Sequence, residues 1–155
     1  MRNHRFKRDG ELARKLKNWW EDLENQKGFR SELRRARNAN DVIFVPSFHR
    51  SCQSLDLDVL KEGERWAIIL GLLSHVKKDD KKCLLEQIAL KVKGPRFLRL
   101  LQRKREDDGF YMDMMRIIRL LKNELNIIYL AESVYYWGAD RKKEWAFAYF
   151  QDKRK

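Results

Sequence analysis

The chain has 155 residues, enough for one domain that buries roughly 70% of its unfolded surface, and a 43% hydrophobic content with five Trp, eight Phe and five Tyr excludes a disordered basic tail. Lys and Arg number 35 against 23 Asp and Glu, so the formal charge is +12 and an acidic polymer or anionic surface is the expected partner. Cys52 and Cys83 are too few and too far apart for a disulfide framework. No apolar stretch follows the basic N-terminus, and the longest apolar run, Trp66 to Leu73, is far short of the roughly 20 residues of a spanning helix, so the expectation is a soluble, cytoplasmic protein without signal peptide or membrane contact.

Almost every segment between the two prolines and seven glycines has helical periodicity, and the fold is expected to be all-α, a compact bundle of about eight or nine helices. A first helix is predicted from about Gly10 to Glu24, with Leu12, Leu16, Trp19 or Trp20 and Leu23 on one face. A short arginine-bearing helix follows from Gly28 to about Ala36, and Asn38 to Asp41 supply a turn. The β-branched run Val42 to Val45 reads as an extended connector because no partner strand is evident, and Pro46 opens another short helix. Asp58 to Lys77 predicts a longer, central helix whose end is complemented by Lys77 and Lys78. Asp79 or Asp80 then starts a helix carrying Leu84, Leu85, Ile88, Ala89 and Val92, stopped by Gly94-Pro95.

A further short helix begins at Pro95, and Glu106 to Gly109 make a loop. Phe110 to Lys122 places Met114, Ile117, Ile118 and Leu121 on an apolar stripe, with Arg116, Arg119 and Lys122 on the complementary side. Two last helices, about Ile127 to Trp137 and Asp140 to Asp152, are separated by Gly138, read as a left-handed stop. No repeat or low-complexity linker divides the chain, which is either one unit over 1–155 or two lobes, 1–93 and 94–155, sharing a core.

Catalytic signatures are missing: there is no P-loop, dinucleotide fingerprint, HExxH or nucleophile elbow. His49 with Cys52 and His75 with Cys83 could be assembled into a zinc site on paper, but their spacings match no closed structural-zinc pattern; the plainer reading is a buried free cysteine and surface histidines. Asp107, Asp108 and Asp113 could hold magnesium for a nuclease, whereas Lys104 and Arg105 beside them favour a solvated mixed-charge loop. No cofactor or metal is expected.

Binding is better supported. Arg30, Arg34, Arg35 and Arg37 place four guanidiniums within eight residues, an arrangement that repels itself unless a polyanion relieves it. Residues 30, 34 and 37 are expected to share one helical face and so add their charges over one patch. Arg116 and Arg119 form a second pair, which Asp113 on the same face could neutralise. Tyr135, Tyr136, Trp137, Trp145, Phe147, Tyr149 and Phe150 could stack bases, although their helical spacing suits a core better.

With these residues in view the chain resembles the small subunit of the type I-E CRISPR surveillance complex Cascade, the CasB family. The blocks that carry the resemblance are Trp19, Trp20 and Leu23; Leu33-Arg34-Arg35; Pro46-Ser47-Phe48-His49-Arg50; Arg96-Phe97-Leu98-Arg99-Leu100-Leu101; Ile118-Arg119-Leu120-Leu121; and Trp137-Gly138 followed by Arg141-Lys142-Lys143. They span nearly the whole chain in order, with His49 standing where an aromatic residue is expected. The resemblance implies a non-catalytic, all-helical, two-lobed subunit of an antiviral RNA-guided complex. Its implied partners are the guide crRNA, the target DNA, the other Cascade subunits and a second copy of itself. It further implies that Arg34, Arg35, Arg50, Arg99, Arg119, Arg141 and Lys142 hold nucleic-acid backbone and stabilise the R-loop and its displaced strand. Arg50 has a second reading, as a buttress of the turn after Pro46. A stand-alone basic RNA- or DNA-binding protein and a metal-dependent nuclease are the competing functions.

Overall fold

The computed structural model describes residues 6–153. Among them are ten α-helices: α1 (Glu11–Asp22), α2 (Lys27–Arg35), α3 (Ala39–Ile43), α4 (Pro46–Leu55), α5 (Val59–Leu73), α6 (Leu84–Lys91), α7 (Gly94–Leu101), α8 (Asp108–Leu120), α9 (Ile127–Tyr135) and α10 (Ala139–Lys153). A 3-10 turn, Leu23–Asn25, extends α1. The fold is all-α apart from one parallel pairing of two two-residue strands, β1 (Lys78–Asp79) and β2 (Glu124–Leu125), with Lys78 opposite Glu124.

Helix α5 is the hub. Its residues Trp66 to Leu73 are all buried, which is the signature of a helix surrounded by others, and it packs against α2, α3, α4, α8 and α9. Close approach is possible because position 71 is glycine: a Cβ there would sit 2.9 Å from Val42 Cγ2 of α3 and 3.1 Å from Tyr111 Cε2 of α8. Before α1, Phe6 inserts its ring beside Trp66 and Tyr135, at centroid distances of 6.1 and 6.0 Å, and its carbonyl accepts a hydrogen bond from Tyr136 Oη. At the other end of the chain α10 packs on α6. Tyr149 stacks on Phe97 of α7 with centroids 3.9 Å apart, and its hydroxyl donates to the Val92 carbonyl.

Several expected boundaries change, each for a local reason. Val42 to Val45 is not an extended connector: Asn38 Oδ1 accepts the Asp41 N–H, nucleating α3, and Val42 is fully buried beside Gly71. Helix α5 stops at Leu73, short of Lys77, and Asp79 starts no helix but lies in β1, where its carboxylate accepts the Ile127 N–H and so caps α9. Gly138 has no positive φ; among the described residues the left-handed positions are Asp56, Lys122 and Asn123, none of them glycine. Lys122 and Asn123 turn the chain out of α8 into β2, and Asn123 ties that turn to the end of α5: its Nδ2 donates to the His75 carbonyl at 2.9 Å and its own carbonyl accepts the Lys77 N–H at 2.8 Å. The ends of α5 and α8 are thereby locked side by side.

Candidate nucleic-acid interface

The locked ends collect basic residues from two distant helices, α2 and α8. In α2, Leu33 is buried and Phe29 half-buried, which fixes the helix and directs its arginines to the outside and toward α5. Arg30 turns inward. Its Nε donates to the Ser74 carbonyl at 3.0 Å, its Nη2 to the Val76 carbonyl at 2.5 Å, and its Nη1 lies 3.9 Å from Glu24. The last carbonyls of a helix lack intrahelical partners and attract cations, so Arg30 does the work that the sequence assigned to Lys77 and Lys78. Burial, and then the neighbouring Arg34, lower its proton affinity, with Glu24 opposing them.

Arg34 and Arg35 lie exposed in the last turn of α2, and Arg119 lies exposed in the last turn of α8. None of the three side chains makes a hydrogen bond or ion pair with another described residue. His75, buried just past the end of α5, lies near enough to Arg34 and Arg119 for both to act on it. Its pKa is pushed down to about 4, first by burial and then by the cations of Arg34, Arg119 and Arg30. The imidazole is therefore neutral at pH 7, and its Nε2 has no hydrogen-bond partner among the described residues. Two arginine groups that look separate in sequence form one patch.

Arg37 does not share the α2 face. The helix ends at Arg35 and Ala36 is extended, because Asn38 recruits the chain into α3; the Arg37 N–H instead donates to Asp41 Oδ2 at 3.2 Å. Arg116 likewise parts from Arg119. It lies 3.8 Å from Asp113, a buried carboxylate that also meets Arg99 at 3.5 Å and Arg103 at 3.2 Å. Gly109 makes room for this cluster, since a Cβ there would fall 2.5 Å from the Arg103 guanidinium carbon. Three cations share one carboxylate, so the cluster joining α7 to α8 keeps a positive surplus, with Arg99 and Arg116 each nearly half exposed.

At the C-terminal end, Arg141 is absorbed by the fold. It pairs with Glu132 at 3.1 Å and Glu144 at 3.7 Å and lies over the Tyr129 ring, which Arg8 covers from its own side while pairing with Glu132 at 3.0 Å. Burial weakens the hold of Arg141 on its proton, but the carboxylates of Glu144 and Glu132 outweigh it and the pKa moves up. Lys142 sits 6.0 Å from the Trp137 ring. The Arg50 side chain is exposed on α4 and makes no hydrogen bond or ion pair with a described residue. Of the C-terminal aromatics, Tyr135, Trp137, Trp145 and Tyr149 are buried, whereas Tyr136, Phe147 and Phe150 are exposed.

The residues weighed for metal chemistry are dispersed. Cys52 is buried and its thiol is raised to about 12 by that burial; Cys83 is exposed, His49 Nε2 lies 2.6 Å from the Ile43 carbonyl, and His75 is buried rather than on the surface. Asp107 accepts the Lys104 N–H, while Asp113 is held by its three arginines. Among the described residues no group of three or more His, Cys, Asp or Glu converges. No helix among them is long and apolar enough to cross a membrane. Sequence reading weighed His75 only as a zinc ligand or surface histidine and missed its place beside the arginines, and it passed over the Arg103–Asp113 contact. A histidine directly after an apolar helix was the available signal for the first, and nothing in the sequence pointed to the second.

Comparison with known proteins bears on the whole chain. The family profile of CRISPR-associated protein Cse2 matches residues 29–150. No curated protein matches. Among solved structures, a chain of the E. coli Cascade complex bound to a PAM-containing double-stranded DNA target superposes with a TM-score of 0.70 at 16% sequence identity, over 92% of this chain and 94% of that one.

Proposed function

The chain belongs to the Cse2 family of CRISPR-associated proteins, the type I-E Cascade small subunit, and from that premise we propose that it is a non-catalytic scaffold of an RNA-guided surveillance complex that holds nucleic-acid backbone through the Arg34, Arg35 and Arg119 patch. The observation that carries this reading is the convergence of Arg34 and Arg119 on His75. Cations without carboxylate partners, gathered from separate helices around an imidazole that stays neutral, form a field that only an external anion relieves. The surplus charge of Arg99, Arg103 and Arg116 extends the basic surface, and Arg37, Arg50 and Lys142 add to it. Arg30 and Arg141 serve by building the scaffold, since their guanidiniums are engaged internally.

R-loop formation is close to energetically balanced, so a few phosphate contacts to the displaced strand suffice to tip it open. The similar chain comes from a complex bound to target DNA, which supports the same role here, as does the exposure of Leu90 and Phe147, apolar surface suited to neighbouring subunits or a second copy. The reading is tested by placing a photo-cross-linking residue at position 35 in the reconstituted complex. Cross-links to the displaced DNA strand are expected; cross-links to protein alone would make the patch a subunit interface.

A further inference from the structure

A cleft of about 430 Å³ opens between α1, the start of α2 and α4, within the range of roughly 300–1,000 Å³ found for small-molecule sites. Its walls combine two chemistries. Phe29 supplies aromatic surface, the edge of the buried Trp19 forms part of the floor, and Arg50 and Lys15 supply cations at the same opening. The floor is fixed in place, because the buried Trp19 donates from Nε1 to Ser51 Oγ at 2.9 Å and Ser51 Oγ in turn donates to the Ser47 carbonyl at 2.8 Å. Phe29 packs against the core but is only half-buried and lines the cleft. Lys15 is partly occupied by Glu11, 3.6 Å away, whereas Arg50 has no partner among the described residues and is free to meet an anion. The amides of Asn18 and Gln26 and the carboxylate of Asp22 also line the cleft, offering donors and acceptors beside Phe29.

Resting on the backbone-binding role above, we propose that this cleft is a nucleotide socket: it receives one unstacked base of a bound single strand against Phe29, with the adjoining phosphate on Arg50. An aromatic wall next to an unpaired guanidinium is the combination that stacks a base and anchors its backbone without reading sequence. A purely backbone-binding surface has no use for the aromatic wall, and an apolar protein segment has none for the unpaired cation. The patch of Arg34, Arg35 and Arg119 supplies charge alone, so the two sites differ in what they ask of the strand.

The test uses the purified full chain with fluorescent single-stranded oligonucleotides, intact or carrying abasic sites throughout. Wild-type protein is expected to bind the intact strand about tenfold more tightly than the abasic one at equal salt, the size of one good stacking contact. Phe29→Leu, which keeps apolar bulk, should bring intact-strand binding down to the abasic level without altering the salt slope. Arg50→Ala should reduce the slope by about 0.7, one single-strand phosphate contact. Equal binding of intact and abasic strands with a steep salt slope would overturn the socket and leave the backbone-binding role standing; absence of salt-dependent binding to either strand would overturn both. Should Phe29→Leu keep the wild-type preference for the intact strand, or lose complex assembly while keeping it, the cleft does not hold a base.

Discussion

Acidification from pH 7 to pH 4 should cost the folded chain about 3 kcal/mol through His75 alone. The folded pKa of about 4 lies below the ordinary 6.5. Between those values the unfolded chain takes up a proton that the folded chain refuses, and each pH unit in that window costs about 1.4 kcal/mol. The contribution is therefore flat above about pH 6.5, falls down to about pH 4, and is flat again below. Carboxylates also titrate at the acid end, so the comparison is with His75→Gln, which cannot titrate. Urea unfolding of both proteins at pH 7 and pH 4 should show the difference between them shrinking by about 3 kcal/mol, whatever the substitution costs at neutral pH. The imidazole is also a reporter of the basic patch. In an NMR titration, Arg34→Ala with Arg119→Ala should move its pKa up while leaving it below 6.5, because burial is the larger cause. A bound polyanion should move it in the same direction. An imidazole titrating near 6.5 in the folded wild type, or one blind to both arginine changes, would refute the arrangement described for this site.

Three other outcomes are expected. Binding of random single strands should fall steeply between 50 and 200 mM salt, as counterion release by several phosphate contacts requires, and an affinity flat across that range would remove the electrostatic account. Purified protein with magnesium or manganese should not cleave DNA or RNA; cleavage lost in a folded Asp108→Ala variant would establish nuclease chemistry instead. Gly71→Ala should destabilise by about 1–3 kcal/mol through overpacking against Val42 and Tyr111, whereas Gly63→Ala, whose Cβ would meet only Val59 Cβ at 3.7 Å, should stabilise by about 0.4–1 kcal/mol; thermal unfolding of the pair distinguishes crowding from helix propensity.

Helix identity was largely legible in the sequence because apolar spacing and punctuation agree: Pro46 opens α4, Gly94-Pro95 opens α7, and the stripe of Met114, Ile117 and Ile118 is buried in α8. What escaped was decided by contacts between distant segments. The β-branched run after Asp41 looks extended, yet a cap from Asn38 and a glycine nearly thirty residues on give Val42 a helical place in the core. Strands of two residues have no periodicity to detect, so the β1–β2 pairing that locks the end of α5 to that of α8 was invisible. The same limit applies to the site. Charge clustering singled out Arg34, Arg35 and Arg119 as candidates, but sequence could not show that Arg34 and Arg119 both act on His75, that Arg30 is spent on the Ser74 and Val76 carbonyls, or that Arg141 is absorbed by Glu132 and Glu144.

The most direct measurement of the central claim is the lifetime of the R-loop on a complex assembled with the Arg34→Ala, Arg35→Ala, Arg119→Ala subunit. These side chains are exposed and make no bond to the described fold, so the variant should fold with stability within about 0.5 kcal/mol of the parent and join its partners in normal stoichiometry. The lifetime should shorten, and its dependence on salt should flatten, because up to three phosphate contacts and their released counterions are gone. A correctly assembled variant complex with an unchanged R-loop lifetime would contradict the account and leave the three arginines as a solvated face.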